Sequence, residues 1–242
     1  MSYAYEMDRP LAVRAAESER ATFIRRTYLH LAGAILAFVA LEFLIFNLVS
    51  KAQLDELMAR FFFSPMSQLL ILGAYIGVSM FARHLALNGG SSASAYAGLI
   101  LYTLFEVVFF VPILHIAVFY VNDSILPTAG ILTLSMFGGL TLAAFTTKKD
   151  FSFLRPILSI GFFLMLGLVL AAVLIPGSIR LGLWFSFLGV ALASVAILYD
   201  TSNVIHHFRT NQYVAASLSL FASIATLFYY ILMILIQTQR SR

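Results

Sequence analysis

Long apolar runs separated by short polar breaks dominate the chain, falling at roughly 27–50, 66–88, 94–119, 125–146, 153–175, 181–205 and 213–237. Each holds about the 20 apolar residues an α-helix needs to cross the hydrocarbon core, so the pattern predicts seven transmembrane helices joined by short connections. Asn88-Gly89-Gly90-Ser91-Ser92 predicts a turn between the second and third spans, and Pro176-Gly177 one between the fifth and sixth. The first 22 residues mix acids and bases without an apolar run. They read as a flexible cytoplasmic N-terminal tail ahead of one membrane domain of residues 23–242, with no cleaved signal peptide apparent. The expected fold is an all-α integral membrane bundle.

Composition agrees with the pattern. The chain has 242 residues, 61% hydrophobic and 11% charged, whereas a soluble domain carries about 25% charged residues. So few charges do not clothe a water-facing surface. The net charge of +4 lies in clusters between apolar runs, a pattern that orients spans and does not bind nucleic acid. Arg9, Arg14, Arg20, Arg25, Arg26, Arg83, Lys148, Lys149, Arg155 and Arg209 fall on one side, against Lys51, Arg60, Arg180, Arg240 and Arg242 on the other. That excess places the N-terminus in the cytoplasm and, after seven crossings, the C-terminus outside. With no cysteine in the chain, disulfides, thiolate metal sites and cysteine nucleophiles are excluded.

A charge within hydrocarbon costs about 2.5–3.5 kcal/mol even on insertion scales, which makes each intramembrane ionisable group a functional candidate. Those groups are Glu42, Arg83, Glu106 and Asp200, with His30, His84 and His115 nearer span ends. Asp200 shares a helix face with Ala196, Ala193 and Gly189, small residues that let another helix approach closely. On the second helix Tyr75, Ser79 and Arg83 form a polar stripe, and on the seventh Ala216, Ser219, Ser223, Thr226 and Tyr230 form a small, hydroxylated one. Arg83 and Asp200 lie at similar depth, roughly 8 Å from the cytoplasmic ends of their helices, so pairing is one expectation. Glu106 and Ser223 lie near mid-membrane and are expected to face one another. Plainer roles stay open: an interfacial anchor for Arg83, a backbone cap for Asp200, a structural hydrogen bond for Glu106. Glu42 and the histidines read as structural.

Gly73 and Gly77 form a G-x-x-x-G, a weak signal for helix association. The sequence lacks H-E-x-x-H and any glycine-rich phosphate loop, and adjacent His206 and His207 turn to different helix faces. No cofactor or metal is implied, and an enzyme is the least favoured class. Lysines occur only at 51, 148 and 149, outside the spans, which excludes a Schiff base in the seventh helix.

Four segments, in order, resemble the Bax inhibitor-1 (transmembrane BAX inhibitor motif) family, in its bacterial branch. Phe23-Ile24-Arg25-Arg26-Thr27-Tyr28 is similar to its aromatic-basic approach to the first span, and Thr147-Lys148-Lys149-Asp150-Phe151-Ser152-Phe153-Leu154 to its fourth-fifth connection. Ile197-Leu198-Tyr199-Asp200-Thr201 resembles the sixth-helix signature, and Leu218-Ser219-Leu220-Phe221-Ala222-Ser223-Ile224 with Leu227-Phe228 the seventh. The resemblance implies a bundle with the seventh helix central, in a bacterial cytoplasmic (inner) membrane. It also implies a calcium leak in which two aspartates share a proton and sense pH, while an arginine of the second helix latches the closed state. Asp200 matches the first aspartate and Arg83 the arginine. Ser223 stands in the second aspartate's place and does not ionise, so no coupled carboxylate pair exists at these positions. Leu104-Phe105-Glu106, followed by Val111-Pro112-Ile113-Leu114, resembles a subgroup with an acid in the third helix and offers Glu106 as the missing carboxylate. Two functions follow: a pH-sensitive calcium or cation leak channel, or a non-conducting regulator that binds another integral protein such as a membrane protease.

Overall fold

The computed structural model describes residues 10–61, 64–88, 91–122, 124–175 and 177–240. Seven helices are long and apolar enough to cross a membrane. They are α1 (Glu17–Leu48), α3 (Pro65–Asn88), α4 (Ser92–Tyr120), α5 (Ile125–Thr147), α6 (Arg155–Leu174), α7 (Leu183–His206) and α8 (Tyr213–Arg240), with a shorter α2 (Lys51–Phe61) between the first two spans. Gly89, Gly90 and Pro176 of the expected turns lie outside the described residues. Gly177 has φ 83°, a left-handed conformation that glycine adopts without steric cost.

Local chemistry sets the helix ends. Ser91 opens α4 as a capping box, its Oγ accepting from the Ser94 backbone while Ser94 Oγ accepts from the Ser91 N–H. Pro156 stands in the first turn of α6, where its missing N–H costs nothing. Lys148 closes α5 in a left-handed conformation, φ 52°.

Two features depart from the sequence reading. α1 begins at Glu17, inside the segment read as tail, and residues 10–16 are docked. The Ala12 N–H donates to the Phe208 carbonyl at 2.9 Å, the Thr210 N–H donates to the Pro10 carbonyl at 3.2 Å, and Ala12 is fully buried. The partners lie some 200 residues away, so local polarity carried no sign of them. The second departure is α2, for which no helix was expected. Its start was legible: Ser50 and Gln53 exchange reciprocal hydrogen bonds, the Ser-x-x-Gln box.

Helix enclosure differs sharply. In α8, 61% of the most apolar window is buried, against 11% in the fifth-span segment Ser152–Leu174. α8 packs against α1, α3, α4, α5 and α7. Its closest neighbour is α7, where a Cβ added to Gly189 would enter the Tyr230 ring. The small face of α7 therefore does what its spacing suggested. Gly98 similarly sets the α3–α4 approach, since a Cβ there would strike the Ala82 carbonyl. Gly73 and Gly77, by contrast, meet nothing within 4 Å. Leu36, Ile160 and Phe163 are among the many large apolar side chains on the outer surface, which suits hydrocarbon and not water.

Candidate functional site: a carboxylate centre lining an intramembrane cavity

A cavity of about 640 Å³ lies among α3, α6, α7 and α8. Asp200, carried by α7, lines it and is only 7% exposed. Ser223, on the facing turn of α8, donates its hydroxyl to Asp200 Oδ2 at 2.5 Å. The hydroxyl thus meets the carboxyl without adding a second ionisable group. The bond ties α7 to α8 inside the bundle.

Arg83 of α3 lines the same cavity. Among the described residues no ion pair or hydrogen bond joins Arg83 to Asp200; the two side chains line one cavity without the expected direct contact. The guanidinium end of α3 is exposed, while the carboxylate is enclosed by α8.

Glu106 does not face Ser223 as expected. It is fully buried on α4 and accepts from the Tyr75 hydroxyl at 3.2 Å, with the Tyr102 hydroxyl 3.4 Å from that of Tyr75. Tyr75 and Tyr102 line the cavity and Glu106 does not. The two phenols therefore stand between the acid and the open space, and Ser223 turns to Asp200 instead. The second oxygen of Glu106 has no partner among the described residues.

Three further groups have surroundings that the sequence did not reveal. Glu42 is 5% exposed, and neither carboxylate oxygen is bonded among the described residues. The signal was available, an acid in the run Leu41-Glu42-Phe43. His115 is buried and its Nε2 lies 2.8 Å from Asp55 Oδ1 on α2; it was read as structural from its place near a span end, and the contact that fastens α2 is of that kind. His207 meets Asp150 of the fourth-fifth connection at 3.0 Å, and Ser202 accepts from the Phe151 N–H. That connection is thereby pinned to the end of α7. Among the described residues no group of three His, Cys, Asp or Glu is placed to hold a metal ion.

The fold defines a polytopic α-helical membrane protein. Residues 20–240 match the family described as inhibitor of apoptosis-promoting Bax1, and the chain belongs to that Bax inhibitor-1 family. A Pseudomonas aeruginosa protein is 38% identical over 47% of this chain and 50% of its own length, so the match spans half of that relative. A Vibrio cholerae membrane protein is 31% identical over 71% of this chain and 75% of its own. An Escherichia coli relative is named modulator of FtsH protease YccA, 38% identical over 37% of this chain and 40% of its own length.

Proposed function

We propose that this protein is a pH-responsive cation leak, calcium being the cation the family resemblance implies, with Asp200, Ser223 and Arg83 as its gate. The observation that supports it best is an enclosed carboxylate, bonded by a serine of α8, lining a cavity shared with a guanidinium. With Asp200 ionised, the Ser223 bond and attraction to Arg83 hold α3, α7 and α8 together. Protonation removes the negative charge, weakens both interactions and lets Arg83 extend toward the membrane surface. Glu106 serves as a second proton-accepting group behind Tyr75 and Tyr102. α8 acts as the axis of the bundle, and the face bearing the N-terminus is cytoplasmic in an inner membrane.

Proteoliposomes loaded with a calcium dye, compared at acidic and neutral pH, test this reading. Wild type leaks faster at acidic pH, and Asp200→Asn leaks at a rate indifferent to pH. Equal, pH-independent flux in both ends the proposal.

A second reading is a regulator of a membrane protease, favoured by the name of the Escherichia coli relative. Partners captured by the full chain are compared with those of a chain lacking residues 1–9, the segment ahead of the docked stretch. An identical partner set counts against the tail as the grip.

A further inference from the structure

The cavity holds more positive charge than its acid balances. Arg83 and Arg155 both line it, against the single carboxylate of Asp200, whose Oδ2 already accepts from Ser223. Among the described residues neither arginine donates a hydrogen bond or closes an ion pair. Ser79 lines the same space, one helical turn from Arg83, and its buried hydroxyl has no partner there either. Two exposed guanidiniums and a hydroxyl at one end of the cavity offer hydrogen-bond donors to an anion.

The rest of the space is built for hydrocarbon. Arg83 lies near the end of α3 and Arg155 at the start of α6, so both stand at the N-terminal face. Tyr75 and Met165, which also line the cavity, lie roughly 12–15 Å deeper at 1.5 Å per residue. Between these ends the lining is largely apolar, and the volume falls within the roughly 300–1,000 Å³ of small-molecule sites. Met80 and Phe162 at the rim are 67% and 49% exposed, and they belong to spans whose outer faces meet lipid. These exposed lining residues put one side of the cavity on the outer, apolar surface of α3 and α6.

We propose that this cavity binds one membrane lipid with an anionic headgroup, the headgroup held by Arg83 and Arg155 and one acyl chain lying between α3 and α6. Basic pockets between spans on the cytoplasmic side hold anionic headgroups for the same electrostatic reason. A soluble anion would use the charged end alone and leave the apolar length and its exposed side without purpose. The lipid site does not depend on ion conduction, and its test reads binding and not flux.

Native mass spectrometry of the purified full chain, incubated with equal amounts of phosphatidylglycerol and phosphatidylcholine of the same chain length, measures the preference. Wild type retains phosphatidylglycerol preferentially, by about fivefold for each arginine engaged. Arg83→Gln with Arg155→Gln abolishes the preference, and the corresponding double lysine variant keeps most of it. Ser159→Phe leaves both arginines in place, obstructs the cavity and lowers retention of phosphatidylglycerol. Equal retention of the two lipids by wild type overturns the proposal, as does an unchanged preference in the double glutamine variant. Displacement of the lipid by millimolar inorganic phosphate overturns it too, in favour of a free-anion site.

Discussion

Asp200 and Asp55 are both aspartates that gather hydrogen-bond donors, yet they sit at opposite ends of the bundle in opposite surroundings. Asp200 is enclosed between α7 and α8 and bonded by Ser223. Asp55 lies on α2, its side chain 42% exposed, and accepts from the Tyr120 hydroxyl at 2.7 Å and pairs with His115 Nε2 at 2.8 Å. Lys51 adds its ammonium 4.5 Å from the Tyr120 ring. Water screens the second cluster and hardly reaches the first, so equal changes of charge carry unequal weight. The buried acid is placed to alter how spans pack; the exposed one fastens a connecting helix.

Substitutions that remove one donor at a time sharpen this contrast. Ser223→Ala deprives Asp200 of its hydroxyl and is expected to cost about 2 kcal/mol, read by thermal unfolding in detergent at neutral pH. Ser223→Thr restores most of the loss, and wild-type stability in the alanine variant would contradict a structural bond there. Tyr75→Phe removes the donor to Glu106 at an expected cost of about 1 kcal/mol. Combined with Glu106→Gln it costs less than the sum of the two, because both act on one interaction.

Asp55→Asn belongs at the weaker end of the series. It speeds amide hydrogen exchange in residues 51–61 and leaves α7 and α8 unchanged, since the clasp opens locally. Exchange that accelerated throughout the bundle would erase the distinction between the two regions. The Tyr120 hydroxyl, and then His115, hold the Asp55 carboxyl below its ordinary value of 3.8. A depressed value means the clasp contributes fully above that pH and is lost as acid carries the solution below it, through the folded-state value. Protection of α2 therefore persists at neutral pH and falls in acid below about pH 4. In Asp55→Asn the aspartate's acid-dependent step disappears.

Much of the architecture was legible because the bilayer imposes a simple rule. A span must be long, apolar and internally hydrogen-bonded, so seven apolar runs became seven helices, with ends close to those expected except at the start of α1. The small face of Gly189, Ala193 and Ala196 was legible for a similar reason, since close approach needs small side chains at helical spacing. Partner choice was not legible from depth and periodicity, although the family resemblance, by putting Ser223 in the place of an aspartate that shares a proton with Asp200, implied their contact. Ser223 and Glu106 were matched by depth, but depth fixes height and leaves rotation about the helix axis open. Ser223 turned to Asp200, while Glu106 turned to Tyr75. The docked residues 10–16 and the Asp55–His115 contact depend on chain segments distant in sequence, which local composition does not encode.

Taken alone, the order of apolar and polar residues determined that this chain resides in a membrane, how many times it crosses, and which few ionisable groups lie within. Tertiary packing alone decided which of those groups meet, which stay without a partner, and that two arginines share one cavity with a single acid. The reason is geometric: solvent partitioning acts on each segment separately, whereas a hydrogen bond of about 3 Å requires two helices to be fixed in rotation and height together.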